Sequence, residues 1–285
     1  MKRLVCCSAI GAAGMWVSVF ATPSGSFVEA ARAAYATSQF AAYTNSVVRS
    51  FVGKPADMLD TPREGDVVGW VAVSGVRNVR DIGGWNGLRK GRVYRGSEMN
   101  DVGDHGLQID DAGRKVILEK LGVRTELDFR AVNAKSRGAC VKESALGPGV
   151  RLVNAPIDSY TNMFVQTDLY ASALRVFADE GNFPVYMHCW GGADRTGTIA
   201  FILEGLCGVS EIDLAIDYEL TSFSMFGMRL RTNRNKDQRY ADIIARIKAY
   251  PGETLAEKFA AYARGTLGLS EGEIAAIRRN LAGGK

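Results

Sequence analysis

The alternation of apolar and polar positions changes character twice along the chain. Lys2 and Arg3 precede an apolar run from Leu4 to Phe20, and Val19-Phe20-Ala21 then sets small residues where a signal peptidase reads. The pattern predicts a secretory signal peptide over residues 1–21, with an uncleaved N-terminal anchor as the other reading of so long a run. Ser24 to about Phe51 is Ala-rich, with Val28, Ala31 and Tyr35 at helical spacing and Ser26 and Glu29 as a capping-box pair. Gly53 to Gly69, holding Pro55, Pro62 and several charges, is linker-like. Residues 22–70 are expected to form a helical lead-in and linker, and residues 71–285 the functional domain.

Beyond residue 70, glycines at Gly83, Gly84, Gly87 and Gly91 interrupt short β-prone pieces, Trp70–Val73 and Arg92–Tyr94. Asp110 or Asp111 caps a predicted helix that runs to about Leu121, where Gly122 ends it. A strand is expected over Val123–Phe129 and another over Phe183–His188, followed by an apolar stretch over Thr196–Leu206 that reads as a buried helix. From Ser210 the pattern is helical: Glu211–Leu220, Gln238–Ala249, Leu255–Thr266 and Glu271–Leu281. A strand, a tight loop and a helix in succession mark an α/β phosphate-binding unit, here followed by a helical C-terminal part.

Composition narrows the class without choosing a function. With 285 residues, 47% hydrophobic and 23% charged, the chain is not disordered, collagenous or a disulfide scaffold. A formal charge of +4 is too small to suggest nucleic acid or a membrane surface as partner. Cut or uncut, the N-terminal run is expected to place the rest of the chain outside the cytoplasm, periplasmic or secreted. No later segment is apolar enough to span a bilayer, so the mature part is expected to be soluble, without stable membrane association once the signal is cut. Cys6 and Cys7 leave with the signal. Of Cys140, Cys189 and Cys207 at least one is free, and Cys140–Cys207 is a possible bridge.

The chemistry lies in His188-Cys189-Trp190-Gly191-Gly192-Ala193-Asp194-Arg195-Thr196-Gly197. A loop this short on a helix N-terminus turns backbone N–H groups inward, so that Trp190, Gly191, Gly192, Ala193, Asp194, Arg195 and Thr196 can surround a phosphate. Arg195 adds a planar fork for two phosphate oxygens, and its field favours the Cys189 thiolate, the nucleophile. Thr196 can donate to the sulfur, and His188 fixes the loop through the backbone. The leaving group needs an acid, for which Asp158, upstream of Cys189 on a loop after a strand, competes with Asp194 inside the phosphate loop. Asn78, Arg80, Asp81, Arg95, Asp128 and Arg130 either hold the loop from below or touch substrate. Arg229, Arg231, Arg234 and Arg239 read as a solvated basic face, Cys207 as a small buried apolar residue and Cys140 as an exposed thiol.

The segment His188–Gly197 resembles the phosphate loop of cysteine-dependent tyrosine and dual-specificity phosphatases, and within them the bacterial and fungal branch with Asp before Arg. Asn78-Val79-Arg80-Asp81-Ile82-Gly83-Gly84, Val93-Tyr94-Arg95-Gly96-Ser97, Gly122–Arg130, Asp217-Tyr218 and Gly268-Leu269-Ser270 match further motifs of that branch in the same order, over roughly Gly75 to Leu281. The resemblance implies a central sheet flanked by helices and hydrolysis of phosphotyrosine, with phosphoserine, phosphothreonine or phosphoinositides as further candidate substrates (dual specificity), and no metal or cofactor. It also implies Cys189 as nucleophile, Arg195 as phosphate ligand and Asp194 as acid or positioning group. Ala193 departs from the branch, which usually carries Lys there to help with multiply phosphorylated lipids. Trp190 suits an aromatic substrate face.

The sequence therefore predicts a secreted phosphatase acting on a phosphorylated protein or small phosphomonoester through a phosphocysteine. An inositol phosphate or phosphoinositide phosphatase of the same superfamily and a catalytically weak phospho-ligand binding module are the alternatives.

Overall fold

The computed structural model describes residues 29, 32–33, 69–101, 106–131, 142–227, 229–232 and 239–283. The predicted signal, nearly all of the lead-in and linker, Cys140 and Arg234 lie outside the described residues, as does the Cys140–Cys207 bridge that depends on one of them. Five strands form one mixed sheet: β1 (Arg80–Asp81), β2 (Val93–Gly96), β3 (Thr125–Asp128), β4 (Arg151–Asn154) and β5 (Val185–His188), in the order β1-β2-β5-β3-β4. Strand β1 runs antiparallel to β2 at one edge, and all other pairs are parallel. In the register of the central strand, His188 lies level with both Gly96 and Asp128, so the ends of β2, β3 and β5 come together.

The two-residue period of β5 separates two cores. Val185 and Met187 join Val93 and Leu127 in the larger core under the helices, while Tyr186 joins Tyr94, Val73, Val76 and Ile117 on the opposite face. The helices are α1 (Asp111–Lys115, continued by a π-helical turn over Val116–Lys120), α2 (Thr167–Arg175), α3 (Arg195–Leu206), α4 (Glu211–Leu220), α5 (Tyr240–Lys248), α6 (Leu255–Gly265) and α7 (Glu271–Leu281). Helix α3 is mostly apolar and lies inside this layer, buried from Thr196 to Leu206, Glu204 included. Capping boxes at Thr254/Glu257 and Ser270/Glu273 start α6 and α7 where the sequence places them.

Three elements differ from the sequence expectation. Trp70–Val73 buries all but Ala72, and only Trp70 has a ladder partner, Arg80. Strand β4 was expected before the Asp158 loop but not delimited, and helix α2 was not anticipated. Arg151–Asn154 is a half-exposed edge with two apolar residues, and β3 alone makes it a strand.

Candidate active site

The loop after β5 is shaped by what its carbonyls are bonded to. His188 O accepts from Phe129 N (2.9 Å), Trp190 O from Glu98 N (2.9 Å) and Gly191 O from Asn78 Nδ2 (3.0 Å). Arg95 Nη2 donates to Gly192 O (2.8 Å) and Ala193 O (3.1 Å). In a planar peptide the following N–H points opposite to the C=O. Four consecutive carbonyls drawn outward thus turn the amides of residues 191–194 into the concave side, at the N-terminus of α3, where anions are favoured. Gly192 is required at the sharpest point: its φ is +64°, and a Cβ there would stand 2.1 Å from Gly96 O.

Beneath the loop the clamp is itself charged and dry. Arg80 and Arg95 both bond Asp217, with Arg80 Nε 3.0 Å from Oδ1 and Arg95 Nη1 on Oδ2. Burial would raise the Asp217 carboxyl, but the two guanidinium groups outweigh it and hold the group below its usual range. Arg80 Nη1 also donates to Asn78 Oδ1 (2.6 Å), fixing the amide whose other end holds Gly191. Asn78 adopts φ +58°, within the range asparagine tolerates best among non-glycines. Asp81 is not part of this clamp: its oxygens accept from Gly83 N (2.8 Å) and Gly91 N (2.6 Å), closing the turn between β1 and β2.

A second buried network lies beside β5. Arg130 is bidentate on Asp128 (Nη2–Oδ2 2.8 Å) and reaches Glu98 Oε2 at 2.5 Å. His188 Nε2 is 2.9 Å from Glu126 Oε1, and its Nδ1 is 3.2 Å from Cys189 O. Burial lowers the His188 imidazole, but the Asp128 and Glu126 carboxylates raise it above its ordinary value. Asp128, Arg130 and His188 all have essentially no solvent exposure, so they hold the loop's base and do not face a substrate.

Cys189 sits at the start of the loop, 3% exposed. Burial alone would push its thiol up; Arg195, with the Thr196 hydroxyl and amide beside the sulfur, outweighs burial and brings it below the usual thiol range. Arg195 is half-buried, with Nη1 3.3 Å from Phe129 O. Trp190 packs edge-on against Phe226 at 5.2 Å between ring centroids, and Phe226 covers Gly191 so closely that a Cβ there would lie 2.7 Å from the ring.

The two aspartates considered as acids are in different environments. Asp194 has both oxygens engaged: Arg229 Nε is 3.0 Å from Oδ1, Arg229 Nη2 is 3.2 Å from Oδ2, and the Tyr160 hydroxyl donates to Oδ1. Asp158 is exposed, with Oδ2 accepting from the neutral Gln166 amide (2.9 Å). Tyr170 links it to the loop: its hydroxyl donates to Asp158 O, and its phenol lies within the fields of Asp158 and Arg195.

Sequence reasoning missed Tyr160, Glu98 and Glu126, which no local motif marks. It also misread Arg229, which is not on a solvated face: its side chain is 12% exposed and paired with Asp194. Arg239 does fit that reading, with its side chain 45% exposed and paired with Asp242. Cys207, at the end of α3, is partly buried, and burial pushes its thiol up to about 12.

A family model described as the tyrosine phosphatase family matches residues 71–283. A curated candidate tyrosine-protein phosphatase of Cupriavidus necator is 28% identical over 179 residues, 52% of this chain and 61% of that protein. The chain thus spans less than two thirds of that relative's length. Among solved structures, the core catalytic domain of the PP-IP phosphatase SIW14 from S. cerevisiae, in complex with citrate, aligns with a TM-score of 0.37 at 16% identity, covering 61% of this chain and 86% of that one.

Proposed function

We propose, because the chain belongs to the tyrosine phosphatase family, that it hydrolyses phosphotyrosine or a related aryl phosphomonoester through a phosphocysteine on Cys189. The observation that carries this reading is the set of four loop carbonyls, Trp190 to Ala193, bonded outward beside a thiol held below its ordinary range. Together they form a cradle for three phosphoryl oxygens with a nucleophile at its floor.

In the first step the Cys189 thiolate attacks phosphorus in line, a sulfur–phosphorus bond forms and the ester oxygen leaves. The inward amides and Arg195 hold the equatorial oxygens as charge spreads over them. Asp158 donates the proton that the departing oxygen takes up, since it is exposed and meets only the Gln166 amide, whereas both Asp194 oxygens are bonded to Arg229. In the second step the Asp158 carboxylate accepts a proton from water, the water oxygen bonds phosphorus and the thiolate leaves as inorganic phosphate forms. The Trp190–Phe226 pair offers an apolar wall to an aromatic leaving group. The basic, then apolar N-terminal run of the sequence supports action outside the cytoplasm.

The test is hydrolysis of p-nitrophenyl phosphate with chelator and thiol reductant present, alongside Cys189→Ser. Turnover that disappears in the variant is expected. Turnover that persists in Cys189→Ser refutes the phosphocysteine.

A further inference from the structure

Asp194 puts a negative charge in the rim of a loop built to receive an anion. The groups that face it are Arg229 from the segment after α4, Tyr160 from a 3₁₀ turn, Tyr218 from α4, and Cys189 from its own loop. Arg229 covers both carboxylate oxygens and spends its Nη1 on Phe226 O (2.9 Å) and Gly227 O (3.4 Å). One guanidinium therefore holds Asp194 and the aromatic wall of the mouth together.

Tyr160 is placed as deliberately. Its φ is +56°, a conformation costly for an aromatic residue, and its N–H donates to Thr198 Oγ1 (2.9 Å), which donates in turn to Asp194 O (2.8 Å). The ring Tyr160, Thr198, Asp194 is closed by the Tyr160 hydroxyl on Oδ1. Strained backbone kept at a site of this kind points to a task there. Ala193 supplies no cation beside Asp194, so the neutralising charge comes from 35 positions downstream.

Resting on the phosphatase reading above, we propose that Arg229 and Tyr160 are positioning residues that neutralise and orient Asp194. They let the loop accept a phosphate dianion despite the carboxylate in its rim. Uncovered, Asp194 would repel the phosphate and the Cys189 thiolate alike.

The experiment uses the full chain and three readouts: KM and kcat for p-nitrophenyl phosphate, the pH midpoint of Cys189 alkylation by iodoacetate, and protection of Cys189 by inorganic phosphate. In Arg229→Met, KM rises about tenfold, phosphate protection weakens by about the same factor, kcat changes by less than about threefold and the alkylation midpoint moves to higher pH. Arg229→Lys recovers most of the loss, and Asp194→Asn added to Arg229→Met restores KM and protection. A merely structural arginine would show no rescue by Asp194→Asn, and that result overturns the proposal. So does an unchanged KM in Arg229→Met. Should Arg229→Met fail to fold, Tyr160→Phe carries the test, with an increase in KM of about threefold that Asp194→Asn reverses; absence of that increase overturns the proposal. Alkylation and phosphate protection need no turnover, so an inactive wild type refutes the hydrolase reading while these two readouts still decide this one.

Discussion

Asn78 lies 113 positions before the loop carbonyl it holds, and replacing it tests the clamp directly. Asn78→Gly keeps the φ of +58° accessible but removes two bonds, leaving a buried Arg80 N–H and Gly191 O without partners. Each unmet buried group costs about 1–3 kcal/mol, so a loss of about 3 kcal/mol is expected. Asn78→Ala loses the same bonds and must also hold a Cβ at positive φ, adding about 1 kcal/mol beyond Gly. The catalytic effect is separate: with Gly191 O released, the next amide is free to turn out of the cradle, and losing one such donor costs about 10²–10³ in kcat. The assays are urea unfolding at constant m-value and p-nitrophenyl phosphate turnover well below the unfolding transition. If both variants keep kcat within about threefold of wild type, the outward carbonyl is not what shapes the cradle. If Ala and Gly are equally stable, strain at residue 78 plays no part.

Three further outcomes are expected. Asp158→Asn lowers turnover about 100-fold on an alkyl phosphate and far less on p-nitrophenyl phosphate, whose leaving group needs little protonation; the same leaving-group dependence in Asp194→Asn would reverse the assignment. Iodoacetamide at pH 7 followed by peptide mapping modifies Cys189 and spares Cys207, whose thiol is pushed up to about 12; equal labelling would contradict the activated thiolate. Because His188 is raised by Asp128 and Glu126, its stabilising contribution is full below the unfolded value of about 6.5 and fades as pH rises through the folded one. The stability gap between wild type and Glu126→Gln should therefore narrow with rising pH, and a gap that widens refutes this sign.

The parts of the molecule legible in the sequence are those specified locally. Helix α3 follows from a mostly apolar run, α6 and α7 from their helical pattern, and the loop from a dense string of chemistry between a strand and a helix. Strand β4 could be expected before the Asp158 loop but not delimited, because an edge strand with two apolar residues has no period of its own. Trp70–Val73 is β-prone by composition but lacks a ladder beyond one bridge. Arg229 shows the limit most clearly: four arginines within eleven positions read as a solvated face, yet one is folded inward by a carboxylate 35 residues away. The two candidate acids were picked out by type and spacing, but the partners of their oxygens, Arg229, Tyr160 and Gln166, come from elsewhere in the fold.

The clamp around the loop also decides when the protein becomes reactive. The groups that draw its carbonyls outward come from Asn78, Arg95, Glu98 and Phe129, and the cation on its rim comes from Arg229. None of them is near Cys189 in the chain, so local structure alone cannot assemble the cradle. Until β2, β3 and β5 have docked side by side, Cys189 is an ordinary thiol of the unfolded chain, protonated at neutral pH and slow toward phosphate esters and oxidants alike. The cradle around Cys189 is thus completed only by contacts between residues far apart in the chain, and a copy in which they have not formed lacks it.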